Sequence, residues 1–238
     1  MASEKSHSNN LSIKELLDQI SSSTTRKRKT LLSSLEKRVD ELIDLDSAGL
    51  NNFDPEGDDY SAGFILQLLN RNNPDILAKV LTNKPDGWFK LKSSVAINYG
   101  PLQECLLKEN FEEADRITSS SLRELAGEAA VKRGYVYFSE VSNIPSDDLI
   151  TIDRLWVAYS QAKFGFSVQA SLLDSLGGRY EMLWPKIGWK KNGVWTRYPG
   201  SFDWSLAAPD GHMPLVNQLR GVRLIDSLLS HQGIKSRV

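Results

Sequence analysis

Three stretches of the chain interleave large flat rings with glycine, proline and cations: Phe164-Gly165-Phe166-Ser167, Leu183-Trp184-Pro185-Lys186-Ile187-Gly188-Trp189 and Val194-Trp195-Thr196-Arg197-Tyr198. Rings gathered in this way either pack down as core or line a groove for a wide, flat, apolar ligand. Charge bears on the choice. From Arg179 to Arg223 seven cations (Arg179, Lys186, Lys190, Lys191, Arg197, Arg220, Arg223) stand against three acids (Glu181, Asp203, Asp210). Such an excess suits carboxylates at a ligand's rim, which guanidinium groups grip bidentately. Arg220 and Arg223 lie one turn apart on a predicted helix, and Gly221 between them lets a neighbour approach closely. Taken singly, Lys186, Lys190 and Lys191 read as solvated and Trp184 and Trp204 as core.

Catalytic chemistry is poorly provided for. The histidines are His7, His212 and His231, no His/Cys/Asp spacing resembles a zinc set, and neither Gly-x-Ser-x-Gly nor a glycine-rich phosphate loop after a strand is present. His212, just before Pro214, reads as a hydrogen bond in a turn, and Cys105 on an apolar helical face as a small core residue. The residues point to binding.

The elements that must position them are helical. Ser12-Ile13-Lys14-Glu15 has capping-box spacing ahead of Leu16, Leu17 and Ile20. Leu31, Leu32, Leu35, Val39, Leu42 and Ile43 predict one longer amphipathic helix. Helical patterns resume at Phe64 to Leu69 and at Ile76 to Leu81, the latter opened by Asn73 as N-cap and Pro74. Asn83-Lys84-Pro85-Asp86-Gly87 is a strong break. It separates residues 1–84, a helical bundle, from residues 85–238, which hold most of the aromatics. Beyond it, helices are expected from Leu102, from Asn110 to Gly127, from Pro145 through Tyr159, from about Ser167 to Leu176, and from Pro214 through Leu229. Residues 184–211 carry little helical period and read as a long functional loop.

With 238 residues, 40% apolar and 25% charged, and a net charge of −1, the composition excludes disorder throughout and gives no electrostatic footprint for nucleic acid. A single cysteine excludes an intramolecular disulfide or a thiolate metal cluster. No window is apolar enough to span a membrane, and Glu4, Glu15 and Asp18 argue against a transit peptide despite Arg26-Lys27-Arg28-Lys29.

Phe164-Gly165-Phe166-Ser167-Val168-Gln169, Leu183 to Trp189, Val194-Trp195-Thr196-Arg197, Gly211-His212-Met213-Pro214 and Asn217-Gln218-Leu219-Arg220-Gly221-Val222-Arg223 stand in this order. Through them the chain from about Pro101 to His231 resembles the genomes-uncoupled-4 family of tetrapyrrole-binding proteins. The resemblance implies an all-α fold in which the N-terminal helical bundle precedes a mostly helical core, shaped like a cupped hand with long irregular loops. It implies a non-enzymatic protein that binds protoporphyrin IX or Mg-protoporphyrin IX, has no covalently bound cofactor, and stimulates magnesium chelatase in chlorophyll biosynthesis by acting with that enzyme's large porphyrin-binding subunit.

Carried onto this sequence, the family's pattern makes Arg220 and Arg223 the main ligand contacts and puts Trp195 and Tyr198 on the ligand-facing loop. Tyr198 stands where cyanobacterial relatives often have Trp. Asn217 would place an amide oxygen over the macrocycle as an axial ligand to its magnesium, the protein itself contributing no other metal site. Tyr137, Phe138 and Val141 would form an apolar wall, and Phe166 and Trp189 complete the ligand-binding set. A soluble monomer is expected, in a plastid stroma or a cyanobacterial cytoplasm, with transient membrane attachment. The competing expectation is an interaction or signalling module whose groove takes a peptide, or a linear bilin as the ligand.

Overall fold

Ser12 opens the first helix of the computed structural model, which describes residues 11–44, 47–216 and 222–238. Its hydroxyl accepts the Glu15 backbone N–H, and the Glu15 carboxylate accepts the Ser12 N–H at 2.8 Å. This capping box starts α1 (Ile13–Ser22), which buries Leu16, Leu17 and Ile20. α2 (Thr25–Glu36) buries Leu31, Leu32 and Leu35. The expected continuation through Ile43 does not form. After Glu36 the chain tightens into a 3-10 turn at Val39–Asp44, held by two hydrogen bonds from Arg38 to Glu41 (2.8 and 2.7 Å), and the change of pitch turns Leu42 inward while Ile43 stands 61% exposed.

Asp59 accepts the Ser61 N–H and starts α3 (Tyr60–Asn72), buried on every side from Tyr60 to Leu69. A helix buried all round belongs at the centre of a fold. Asn73 and Pro74 do open α4 (Pro74–Val80), but the Asn73 amide makes no cap and donates to Val39 O instead. Gln103 gathers the break at 83–89: its amide donates to Asp86 O and Phe89 O, and its oxygen accepts the Phe89 N–H at 2.8 Å.

Gln103 lies on α5 (Gly100–Leu107), which leads to α6 (Phe111–Ala126), capped by Asn110 and ended by Gly127. The short α7 (Glu128–Arg133) closes on Gly134 in the left-handed region, and a 3-10 turn spans Phe138–Asn143. α8 (Ser146–Tyr159) is the second central helix. It crosses α3 where a β-carbon on Gly63 would stand 2.0 Å from Ala158 O, so glycine alone permits the approach. The Gln67 amide pins the crossing by donating to Leu106 O and Tyr159 O. Buried apolar side chains from Leu16 to Ile234 form one connected cluster across the break at 83–87.

α9 (Phe166–Ser175) follows, then α10 (Tyr180–Lys186) and a small antiparallel hairpin, β1 (Lys190–Lys191) with β2 (Val194–Trp195), registered Lys190 to Trp195 and Lys191 to Val194. Asn192 and Gly193, both at positive φ, make its two-residue turn. The last long helix also begins later than expected. Pro214 to Val216 are not helical, residues 217–221 lie outside the described residues, and α11 (Arg223–Leu229) leads into the short α12 (Gln232–Lys235).

Candidate functional site

Outer parts of this frame enclose a cleft of about 950 Å³, at the upper end of the range for small-molecule sites. One wall is the face of α6 that carries Asp115, Arg116, Ile117, Leu122 and Arg123. Trp189, Trp195, Arg197, Tyr198 and Phe202 also line the cleft. Tyr135, Val136, Ile144, Leu215, Val216, Leu224 and Leu228 complete the lining.

The ring loop is packed rather than open. Tyr180 stacks on Trp184 at 5.2 Å between centroids, Trp184 on Trp189 at 5.7 Å, and Trp195 tilts against Trp184 at 5.6 Å. This column carries the hairpin on the core. The Trp189 indole N–H donates to His212 O at 2.7 Å, while Lys190 lies 5.0 Å over the Trp195 ring. Further along, Tyr198, Phe202 and Trp204 contact one another edge-on or stacked, and His212 sits 4.9 Å from Phe202.

His212 has the turn role its sequence position suggested. Nδ1 lies 2.7 Å from Ile187 O, an acceptor, and Nε2 accepts from the Asp203 N–H. Both bonds are made only by the neutral ring with its proton on Nδ1. Burial correspondingly pushes its pKa down.

Of the expected site residues, Trp189, Trp195 and Tyr198 meet in the cleft, Trp189 as buried floor and the other two 39% and 45% exposed. Tyr137 and Phe138 stand exposed beside it without lining it. Tyr137 touches the lining ring of Tyr135 at 5.3 Å, both beneath the Arg133 guanidinium, and Arg223 lies 5.2 Å over Phe138. Val141 and Phe166 are elsewhere, both fully enclosed in the core. Arg220 and Asn217 fall outside the described residues.

The cleft also holds charges that the sequence reading passed over, on α6. Arg116 is tied to Glu113 at 2.9 Å. Arg123 lies two turns along, about 10 Å away. Neither Arg123 nor Arg197 makes an ion pair among the described residues. Asp115 is 1% exposed, accepts the Leu215 N–H at 2.6 Å, and is pushed up by burial to about 7. The spacing of Arg116 and Arg123 was visible in the sequence, but which face of α6 meets the cleft was not. Among the described residues no three His, Cys, Asp or Glu side chains gather to hold a metal ion.

Residues 92–232 match the family model described as GUN4-like. The Ycf53-like protein of Synechocystis is 48% identical over 172 residues, 72% of this chain and 74% of that one. The tetrapyrrole-binding protein, chloroplastic, of Arabidopsis thaliana is 40% identical over 139 residues, 55% of this chain and 52% of its own length. Among solved structures, GUN4 from Chlamydomonas reinhardtii superposes with a TM-score of 0.58 at 37% identity, covering 61% of this chain and 93% of that one. Ligand-free Arabidopsis thaliana GUN4 gives 0.54 at 38%, covering 60% and 98%. Both likenesses agree with the helical fold, and with more than half its length inside the family model the chain belongs to the GUN4-like family.

Proposed function

We propose that the cleft binds a tetrapyrrole, protoporphyrin IX or its magnesium derivative, and that the protein carries it to or from magnesium chelatase without chemistry of its own. The observation that carries this reading is the pairing, on one concave surface, of half-exposed rings with guanidiniums that make no ion pair among the described residues: Trp195 and Tyr198 beside Arg123 and Arg197. A porphyrin offers an apolar π face to the rings and propionates to the cations. Arg223, and Arg220 and Asn217 from the sequence motif, would extend the grip, Asn217 supplying an oxygen to the magnesium. The name of the Arabidopsis relative supports the same ligand class.

The partner in this reading is the large porphyrin-binding subunit of the chelatase, and the setting is chlorophyll synthesis in a plastid or cyanobacterium. Residues 1–84 are then a helical bundle docked on the core of residues 85–238. Titrating the full chain with protoporphyrin IX should quench tryptophan emission to an endpoint at about one equivalent. The dimethyl ester, which lacks the carboxylates, should bind more weakly, and a flat titration with both would overturn the reading. Adding the chain to a chelatase assay then tests the partner.

A further inference from the structure

Arg223 and Asp226 stand three residues apart at the start of α11, a spacing at which a guanidinium and a carboxylate on one helix can meet. They do not pair, and neither makes another ion pair among the described residues. Two aromatic residues hold them apart. The Arg223 guanidinium lies 5.2 Å over the ring of Phe138, which belongs to the 3-10 turn packed on α11. Oδ1 of Asp226 instead accepts the Tyr180 phenol O–H at 2.8 Å. Tyr180 is itself fixed by stacking on Trp184 at 5.2 Å. Burial, and then the carboxylate, push the phenol's pKa up, so it remains the donor. The acid that would neutralise Arg223 is thereby drawn toward α10, while Leu224, the next residue after Arg223, lines the cleft.

We propose that Tyr180 is a positioning residue for Arg223: by engaging Asp226 it keeps the guanidinium unpaired beside the cleft, open to a carboxylate of the bound ligand. The proposal rests on the tetrapyrrole reading for its ligand, while the separation of the pair exists without one. A guanidinium already paired within the chain must give up that partner before it takes another. For an exposed contact this costs about twofold in affinity.

The test compares protoporphyrin IX with its dimethyl ester on the full chain at low salt. Tyr180→Phe keeps the ring on Trp184 but frees Asp226 to turn to Arg223. It should weaken binding of the acid about twofold and leave binding of the ester unchanged. Adding Asp226→Asn should restore the loss, because a neutral amide cannot hold the guanidinium as a carboxylate does. A hydrogen bond that merely braced α10 against α11 would give a different pattern: Tyr180→Phe would weaken acid and ester alike, and the second substitution would rescue neither. That pattern, or an acid bound as tightly by Tyr180→Phe as by wild type, overturns the proposal. Without ligand, exchange of the Arg223 Nε proton with water should slow severalfold in Tyr180→Phe and return to the wild-type rate in the double variant. An unchanged rate in Tyr180→Phe overturns the proposal as well. A wild-type chain that binds neither porphyrin sinks the ligand reading, and the proton exchange still judges whether Tyr180 keeps the pair apart.

Discussion

Trp184 and Trp189 lie face to face, their ring centroids 5.7 Å apart and their planes 4° from parallel. Both are nearly inaccessible, so their faces are spent on each other and on Tyr180 and Trp195. Rings so close in sequence divide their work: this pair supports the hairpin, while Trp195 and Tyr198 keep part of their surface open to the cleft.

Trp184→Ala should accordingly cost about 3–5 kcal/mol of stability, as for other large-to-small changes of a buried ring. Trp195→Ala should cost about 1 kcal/mol, the worth of a partly exposed ring contact, yet remove much of the quenching seen on titration with a porphyrin. Urea unfolding with parallel fluorescence titration separates the two. Equal losses of stability would contradict the division.

His212 makes stability fall with acid. Folding favours the neutral ring, so its pKa in the folded chain lies below the ordinary value of about 6.5. The stabilisation is complete above about pH 6.5 and is lost as pH falls through the lower folded value, at up to about 1.4 kcal/mol per pH unit for one proton. Of the charges that shift it, Asp203 raises the pKa and Lys191 lowers it, burial being the larger cause. Thermal unfolding from pH 8 to pH 5 should show wild type losing stability relative to His212→Asn below about pH 6.5, and identical slopes would refute the assignment.

Local signals were the legible part of this fold. The capping box at Ser12 and Glu15, the Asn110 cap and the Gly127 stop lie within a few residues of what they control, and each helix end stands where the sequence places it. Asn192-Gly193 between Lys191 and Val194 is a strong short-range turn signal for the hairpin, although the lack of helical period over residues 184–211 reads as one long loop. Helix ends set by tertiary packing were not legible: the apolar periodicity continues past Glu36 and back to Pro214, while the chain turns at both. Phe166 and Val141 share motifs with ring residues, and periodicity cannot tell a ring facing the cleft from one facing the core. Nothing local in the sequence singles out Asp115 or Arg123 on α6; their place in the cleft lining comes from how the helix packs.

Arg123 and Arg197 should grip the anionic edge of the ligand. Each changed to Ala should weaken protoporphyrin IX binding about five- to tenfold at low salt, and the deficit should shrink toward 1 M salt, where the screening length is about 3 Å. The dimethyl ester should bind wild type and both variants alike. A loss equal for acid and ester would mean the arginines shape the wall rather than meet carboxylates.

Arg154 binds the two halves of the chain through an unusual set of partners. It is 6% exposed and has no carboxylate partner among the described residues. Instead it donates to Gly57 O at 3.0 and 2.8 Å, to Pro55 O at 3.1 Å and to Lys90 O. Next to it Arg237 bridges Asp153 on α8 and Asp58 on the same connection. Deleting residues 1–84 removes the carbonyls of Pro55 and Gly57 and uncovers the α3 contact, while Arg154 stays on α8 beside another guanidinium. Breaking up a buried charge's partners costs about 3–5 kcal/mol, so the shortened chain should unfold at markedly lower urea than the full one. Arg154→Met in the shortened chain should recover part of that loss, because the fatty stem is kept and the stranded charge is gone. In the full chain the same substitution should destabilise, since the carbonyls then lose their donors. An equal effect of Arg154→Met in both lengths would show that the guanidinium serves α8 alone, with no part in holding the bundle.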